Sequence, residues 1–238
     1  MAPDRVTGIL AAVEAECPDG HGRPEALIAL CARSLPVTGA GMALMTADGP
    51  AGTVAVTDGS AGELEELQFS LGEGPCVDAS RTGRPVLQPD VARTGPARWP
   101  AFVEGALAAG LRAVFAFPLR VGAIRVGVLD LYRDTVGVLT AEQLAEALAF
   151  ADAATIVLLR LSSRSAGAAV SSDPLDVLDD RAEVHQATGV VSVHARTTLA
   201  EALMLLRARA YAEQRPIREL ARDVLDGVVR FEAAEDDR

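Results

Sequence analysis

What most restricts the fold of this chain is a run of three short helical patterns between Arg181 and Phe231, with small residues where helices would cross. In the first, Val184, Ala187, Thr188 and Val191 share one face of H185-Q-A-T-G-V-V-S-V-H194. The second runs from Thr198 to Glu213, with Leu199, Ala202, Leu203, Leu206 and Ala210 at the same spacing. It opens on Thr198 followed three residues later by Glu201, a capping box that satisfies amides left unpaired at a helix start. Pro216 suits the first turn of a third helix, where a missing amide hydrogen costs nothing, and Ile217, Leu220, Ala221, Val224, Val228 and Phe231 form its stripe. Three short amphipathic helices must bury their faces on one another.

These residues resemble the ANTAR domains of bacterial RNA-binding antiterminators, through H185-Q-A187-T-G189 on the first helix, A200-E-A202-L-M-L-L206-R-A-R-A210 on the second and R215-P-I-R-E-L220-A221-R-D-V224 on the third. The family often carries a basic residue before the glycine, and Thr188 stands there in this chain. The resemblance implies binding of RNA hairpins. Sequence-specific RNA recognition usually reads unpaired loop bases, so the candidate contacts are Gln186 and Thr188 beside the small-residue notch at Gly189, with Arg207, Arg209, Arg215 and Arg218 supplying charge. Arg207 and Arg209, two positions apart, cannot share one helical face.

Charge placement fits that expectation. The net charge of −11 argues, taken whole, against a general nucleic-acid binder. Residues 181–230, however, hold 8 Arg and 6 acids, a surplus of +2, whereas residues 1–165 hold 13 Arg and 19 acids, residues 166–180 four acids and no Arg, and residues 231–238 one Arg and four acids. A surplus of two is small, so affinity needs dimerisation or base contacts as well as phosphate attraction.

Upstream, 238 residues suffice for about two domains. No apolar run approaches the ~20 residues of a membrane span, and the start shows no secretion signal, so the expected location is cytoplasmic with no membrane partner. Cys17, Cys31 and Cys76 are odd in number and unrelated in spacing, matching neither a disulfide framework nor paired zinc ligands. The absence of Lys and Asn is read as codon bias in a GC-rich genome.

Punctuation divides the chain into an N-terminal helix (1–21), a sensor-sized domain (22–162), a linker (163–173), a helical domain (174–232) and an acidic tail (233–238). Within the second piece, a helical pattern from Pro24 to Leu35 precedes extended runs at Gly41–Thr46 and Thr53–Thr57, separated by the turn-rich D48-G-P-A-G52. A short helix around Glu63–Phe69 follows, then a brief strand at Val86–Gln88 and strong strands at Leu111–Leu119 and Ile124–Tyr132 joined by a hairpin near Gly122. Without βαβ alternation, this predicts an α+β domain, a sheet with flanking helices. The segment resembles a GAF domain, carried by L71-G-E-G-P-C76, Trp99 and Pro100 before a helix ending at Gly110, F117-P-L119 and G127-V-L-D-L-Y132. That resemblance implies a sensory module with an antiparallel sheet. It leaves open whether the signal is a small molecule or a protein, and it implies no particular cofactor.

Chemistry is sparse. The Gly-rich stretches G39-A-G41 and G72-E-G74 lack the third glycine of a dinucleotide fingerprint and are read as turns. His21 lies in a loop, and His185 and His194 are nine apart rather than the four of a helical zinc pair, so no metal site and no catalytic group is expected. Glu63, Glu65 and Glu66 are read as one solvated helix face. Cys76 is read as a small buried residue; the alternative, which it alone offers, is a redox-responsive thiol, because a helix start after Pro75 would favour its thiolate. Trp99 is read as a packing anchor.

Thr140 with Gln143 forms another capping box, after which Leu144, Leu148, Ala151, Thr155 and Leu158 recur at steps of four and three, a heptad seam suited to a partner helix. A homodimer is therefore expected through Leu144, Leu148, Ala151 and Leu158; the alternative is a helix packed on its own sheet, with Ile156 and Leu159 as a second stripe. S162 to S172 has linker composition, and Asp173 before Pro174 offers a new helix start. Two functions remain in view: a sensory regulator whose helical domain binds hairpins in nascent RNA to control termination, and a sensory scaffold acting only through protein contacts.

Overall fold

Strict alternation along two strands sets the architecture. In β4 (Ala113–Val121), Ala113, Phe115, Phe117 and Leu119 point to one side and Val114 and Ala116 to the other. In β5 (Ile124–Arg133), Leu129 and Leu131 join the first side and Val128 and Tyr132 the second. Both faces of the sheet are thus apolar, so both require helices. The structure, a computed structural model, describes residues 2–17, 23–46, 49–167 and 181–232.

The five strands run antiparallel in the order β2-β1-β5-β4-β3, with β1 spanning Gly39–Thr46, β2 Gly49–Val56 and β3 Val86–Gln88. The β4–β5 hairpin turns at Gly122, whose φ of 60° lies in the left-handed region. One face is covered by α1 (Ala2–Glu16), α2 (Arg23–Ser34) and α7 (Ala141–Gly167) over Phe115, Phe117, Leu129 and Leu131. The other carries α3 (Gly59–Leu71), α4 (Pro75–Thr82), α5 (Val91–Thr94) and α6 (Pro100–Ala108) around Trp99, Phe102 and Val114. This is the expected sheet with flanking helices. The short α5, capped by the Asp90 carboxylate on the Arg93 amide, was not legible in the sequence.

The final part is a three-helix bundle of α8 (Ala182–Ala195), α9 (Leu199–Ala212) and α10 (Ile217–Leu225), in which α8 packs on both others. Its core is Val184, Ala187, Val191, Ala202, Leu206, Leu220, Ala221 and Val224, joined by Phe69 of α3. The capping box at Thr198 and Glu201 forms as expected, and so does the one at Thr140 and Gln143. The third stripe is shorter than expected. Helix α10 stops at Leu225, Gly227 adopts a φ of 73°, and Val228 is left 74% exposed, while Phe231 packs from beyond the helix.

Two expectations need correction along α7. The helix continues to Gly167, so residues 163–167 are helical and not linker. The expected seam is not one exposed surface: Ala151 and Leu158 are buried against the chain's own sheet, Leu144 is half-buried, and only Leu148 faces outward. The reason is width. Covering a sheet takes a broad stripe, here Ala147, Phe150, Ala151, Ala154 and Leu158, and a heptad pattern read along it picks out core positions. Residues 168–173 of the expected linker, the helix start at Asp173–Pro174, the tail 233–238, His21 and Asp48 lie outside the described residues. No described helix is long and apolar enough to cross a membrane.

Candidate nucleic-acid interface and sensor core

On the α3 side of the sheet, β5 alternation brings Asp130 and Tyr132 beneath α3, whose Glu65 and Gln68 are three apart and share a face. The Tyr132 hydroxyl donates to Glu65 Oε1 at 2.9 Å, Gln68 Nε2 donates to the Tyr132 hydroxyl at 3.3 Å, and the Cys76 amide donates to Gln68 Oε1 at 2.8 Å. Glu65 reaches this position because Gly41 has no side chain: a Cβ there would stand 2.2 Å from Glu65 Oε1. Glu65 is therefore buried and Glu66 is half-buried toward the bundle, so only Glu63 fits the expected solvated face.

Asp130 is fully buried, and neither of its carboxylate oxygens meets a hydrogen-bond partner. Burial, and then the charge of Glu65, push its carboxyl well above the usual range. Burial also raises Glu65, against which the Tyr132 hydrogen bond and the Arg181 guanidinium pull it down. Cys76 follows the same logic. Burial, Asp130 and Glu65 drive its thiol well above its ordinary value, so the thiolate that a redox role needs is disfavoured. The charge of Arg181 and a hydrogen bond from the Val77 amide at the helix start pull the other way and are outweighed. Trp99 is a buried anchor whose indole Nε1 donates to Asp78 Oδ2 at 3.1 Å. Among the described residues no group of three His, Cys, Asp or Glu side chains could hold a metal.

In the bundle, the sequence-selected residues separate. Gln186 is exposed, and Gly189 faces open space, since a Cβ there would meet nothing within 4 Å. Thr188 is buried, its hydroxyl donating to the Val184 carbonyl at 2.7 Å, so it points into the bundle and not to a ligand. Arg209 donates to Glu213 at 2.7 Å and to the Arg230 carbonyl at 3.2 Å, and Arg215 donates to Asp223 at 2.7 Å. Arg207 lies on another face of α9, as spacing required, and reaches across to α3: its Nε donates to the Phe69 carbonyl at 2.9 Å.

That last contact belongs to a junction the sequence did not announce. The Phe69 ring is fully buried among bundle residues, with the Arg181 guanidinium 3.9 Å and the Arg207 guanidinium 5.5 Å from its centroid and the His185 ring meeting it edge-on at 6.3 Å. Arg181, only 3% exposed, also donates to Thr53 Oγ1 at 2.9 Å and pairs with Glu66 at 3.3 Å; Arg218 stands 3.9 Å from the same Glu66 carboxylate. His185 Nε2 lies 2.9 Å from the Ala51 carbonyl oxygen, which can only accept, so the imidazole carries its hydrogen there. Beside these contacts runs a cleft of about 850 Å³, walled by Leu67 and Leu71 of α3, Gly105 of α6, and Tyr211 and Ile217 of the bundle. Burial, then the neighbouring Arg181, pull the Arg207 guanidinium down to about 10, still charged at neutral pH. Its Nη2 is buried without a partner in the protein.

Comparison with known proteins agrees with this division. The GAF domain family model matches residues 22–159 and the ANTAR domain model residues 176–225. Among solved structures, the GAF domain of an Acinetobacter phosphoenolpyruvate-protein phosphotransferase is 11% identical, with a TM-score of 0.54 over 70% of this chain and 98% of that one. The corresponding GAF domain from Coxiella burnetii is 15% identical, with a TM-score of 0.51 over 68% and 97%. At these identities the likeness is one of fold. A search of curated proteins found no match. GAF domains are sensor modules and ANTAR domains are RNA-binding antitermination modules. With a sheet and flanking helices matching the first over more than half its length, and α8–α10 falling where the second matches, this chain belongs to the GAF family and carries a following ANTAR domain.

Proposed function

We propose that this protein is a sensory regulator that binds hairpin loops in nascent RNA through its ANTAR domain, and so controls transcription termination in response to a signal at its GAF domain. The observation that carries the reading is the ANTAR match at 176–225, within which α8–α10 fold as a closed three-helix bundle. Support comes from the exposed Gln186 beside the open Gly189, and from the only basic stretch of an acidic chain. Gln186 offers both donors and an acceptor to an unpaired base. Arg209 and Arg215 lie on the bundle surface paired with Glu213 and Asp223, acids that a phosphate must displace before either arginine can neutralise it. Two hairpins on one transcript favour two linked copies, and Leu148 and Leu159, which face outward on α7, are where a second copy would meet the first.

The test is capture of RNA from lysate by the full chain, followed by affinity measurement at low salt. Paired hairpins should be enriched and should bind at least tenfold better than scrambled RNA of the same composition. Equal binding of the two, both by this chain and by a Glu66→Arg variant that frees Arg181 and Arg218, would overturn the RNA reading in favour of a scaffold that acts through protein contacts.

A further inference from the structure

We propose that the arrangement described here is an autoinhibited state, in which α3 of the GAF domain holds arginines of the ANTAR domain away from RNA. The inference rests on the RNA-binding reading and concerns its regulation. Of the arginines assigned to phosphate, Arg207 is committed to the Phe69 carbonyl and ring, and Arg218 faces Glu66. Arg181, at the entrance to α8, is committed to Phe69, Thr53 and Glu66. An arginine in these contacts cannot also neutralise a phosphate. Docking thus removes charge from a domain whose surplus over residues 181–230 is only +2.

Three features make the latch releasable and place it under sensor control. The guanidinium of Arg207 is buried with Nη2 unpaired, an uncompensated donor that favours letting go. The contacts with Glu66 are long, and that carboxylate is 36% exposed, so solvent already competes for it. Above all, α3 is common to both sites. Glu65 and Gln68 sit in the buried polar cluster on the sheet, while Glu66 and Phe69, one position along in each case, face the ANTAR domain. A helix moves as a unit, so a signal that shifts α3 on the sheet shifts the latch with it.

The experiment compares the full wild-type chain with Glu66→Arg, which repels Arg181 and Arg218, and with Gly72→Asn. Gly72 has a φ of 65°, a conformation asparagine tolerates, and a Cβ there would stand 2.8 Å from Arg207 Nη1, displacing that side chain from its seat. Amide exchange reports whether the junction has opened. The probe is a hairpin RNA enriched from a random-loop pool on the Glu66→Arg chain. Opened variants should bind it tighter by about 5- to 150-fold, the usual range of coupling between sites. Their affinity should also fall more steeply with salt, by about 1.4 in the logarithmic slope, as Arg207 and Arg218 each join a phosphate at ~0.7 apiece on single strands. Equal affinity and slope in opened and wild-type chains would overturn autoinhibition and leave RNA binding standing. A junction that stays closed in both variants would overturn the latch as assigned. A pool that yields no RNA above background on any of the three proteins would overturn the RNA reading itself.

Discussion

The GAF and ANTAR domains bury their apolar surface in different ways. The GAF sheet is closed on both faces by its own helices, with Phe115, Phe117 and Leu129 on one side and Trp99 and Phe102 on the other. The ANTAR bundle has a core of alanine, valine, leucine and isoleucine; the aromatic ring fully buried in it, Phe69, comes from the other domain, while its own Phe231 is only partly buried. Small domains bury too little of their own surface to be robust. Dependence therefore runs one way: the bundle leans on α3, and α3 leans on the sheet.

Two truncations put that asymmetry at risk. Phe117→Ala empties a fully buried site in the GAF core and should cost about 3–5 kcal/mol. Amide exchange should then show protection lost in β4, β5 and α8–α10 together, because the support for Phe69 goes with the sheet. Leu206→Ala, equally buried in the bundle, should cost about 2–5 kcal/mol. Here exchange should rise in α8–α10 while the sheet stays protected. Loss of sheet protection in Leu206→Ala would mean the two domains fold as one unit.

Acid separates the domains in opposite directions. The carboxyls of Asp130 and Glu65 have folded values raised above their unfolded ones, so the stability they contribute is fully present below about pH 4 and is lost as pH rises through the folded values. Denaturant unfolding of the GAF domain between pH 4 and 8 should show this loss, and Asp130→Asn should flatten it. An unchanged slope in the variant would show that Asp130 does not titrate in that window. Glu201 has the opposite sign. Hydrogen bonds from Thr197 and from the Thr198 amide and hydroxyl hold it down to about 2, so its contribution is present above about pH 4.3 and disappears as pH falls toward 2. The smallest expected effect is that of Thr198→Ala, which removes the cap of α9 at a cost of about 1 kcal/mol confined to the bundle. An equal loss in the sheet would contradict the one-way dependence.

Features set within a few residues were legible in the sequence. The capping boxes at Thr140 and Thr198, the alternation along β4 and β5, the Gly122 turn and the stripe of α8 all follow from local spacing, and the structure has them; the stripe of α9 holds from Ala202 to Ala210 but not at Leu199, left 58% exposed in the first turn. The same reasoning failed where one pattern served two partners. The heptad steps from Leu144 to Leu158 are real, but they mark the side of α7 that covers its own sheet. Cys76 at a helix start left an activated thiol open beside a small buried residue; burial, and then the carboxyls of Asp130 and Glu65, distant in sequence, decide for the second.

Local periodicity and the family resemblances determined the two domains, most of their elements and the pieces of the bundle, because hydrogen bonding and amphipathic spacing act over one or two turns. What only the tertiary structure decided is which neighbouring side chain goes where: Glu65 into the core and Glu66 to the junction, Thr188 inward and Gln186 outward, Arg207 onto Phe69 and Arg209 onto Glu213. Adjacent helical residues point about 100° apart, so a chain carrying acids or arginines side by side states that both faces are charged. Which charge is buried depends on a partner brought up by the fold, here across 138 positions between Phe69 and Arg207.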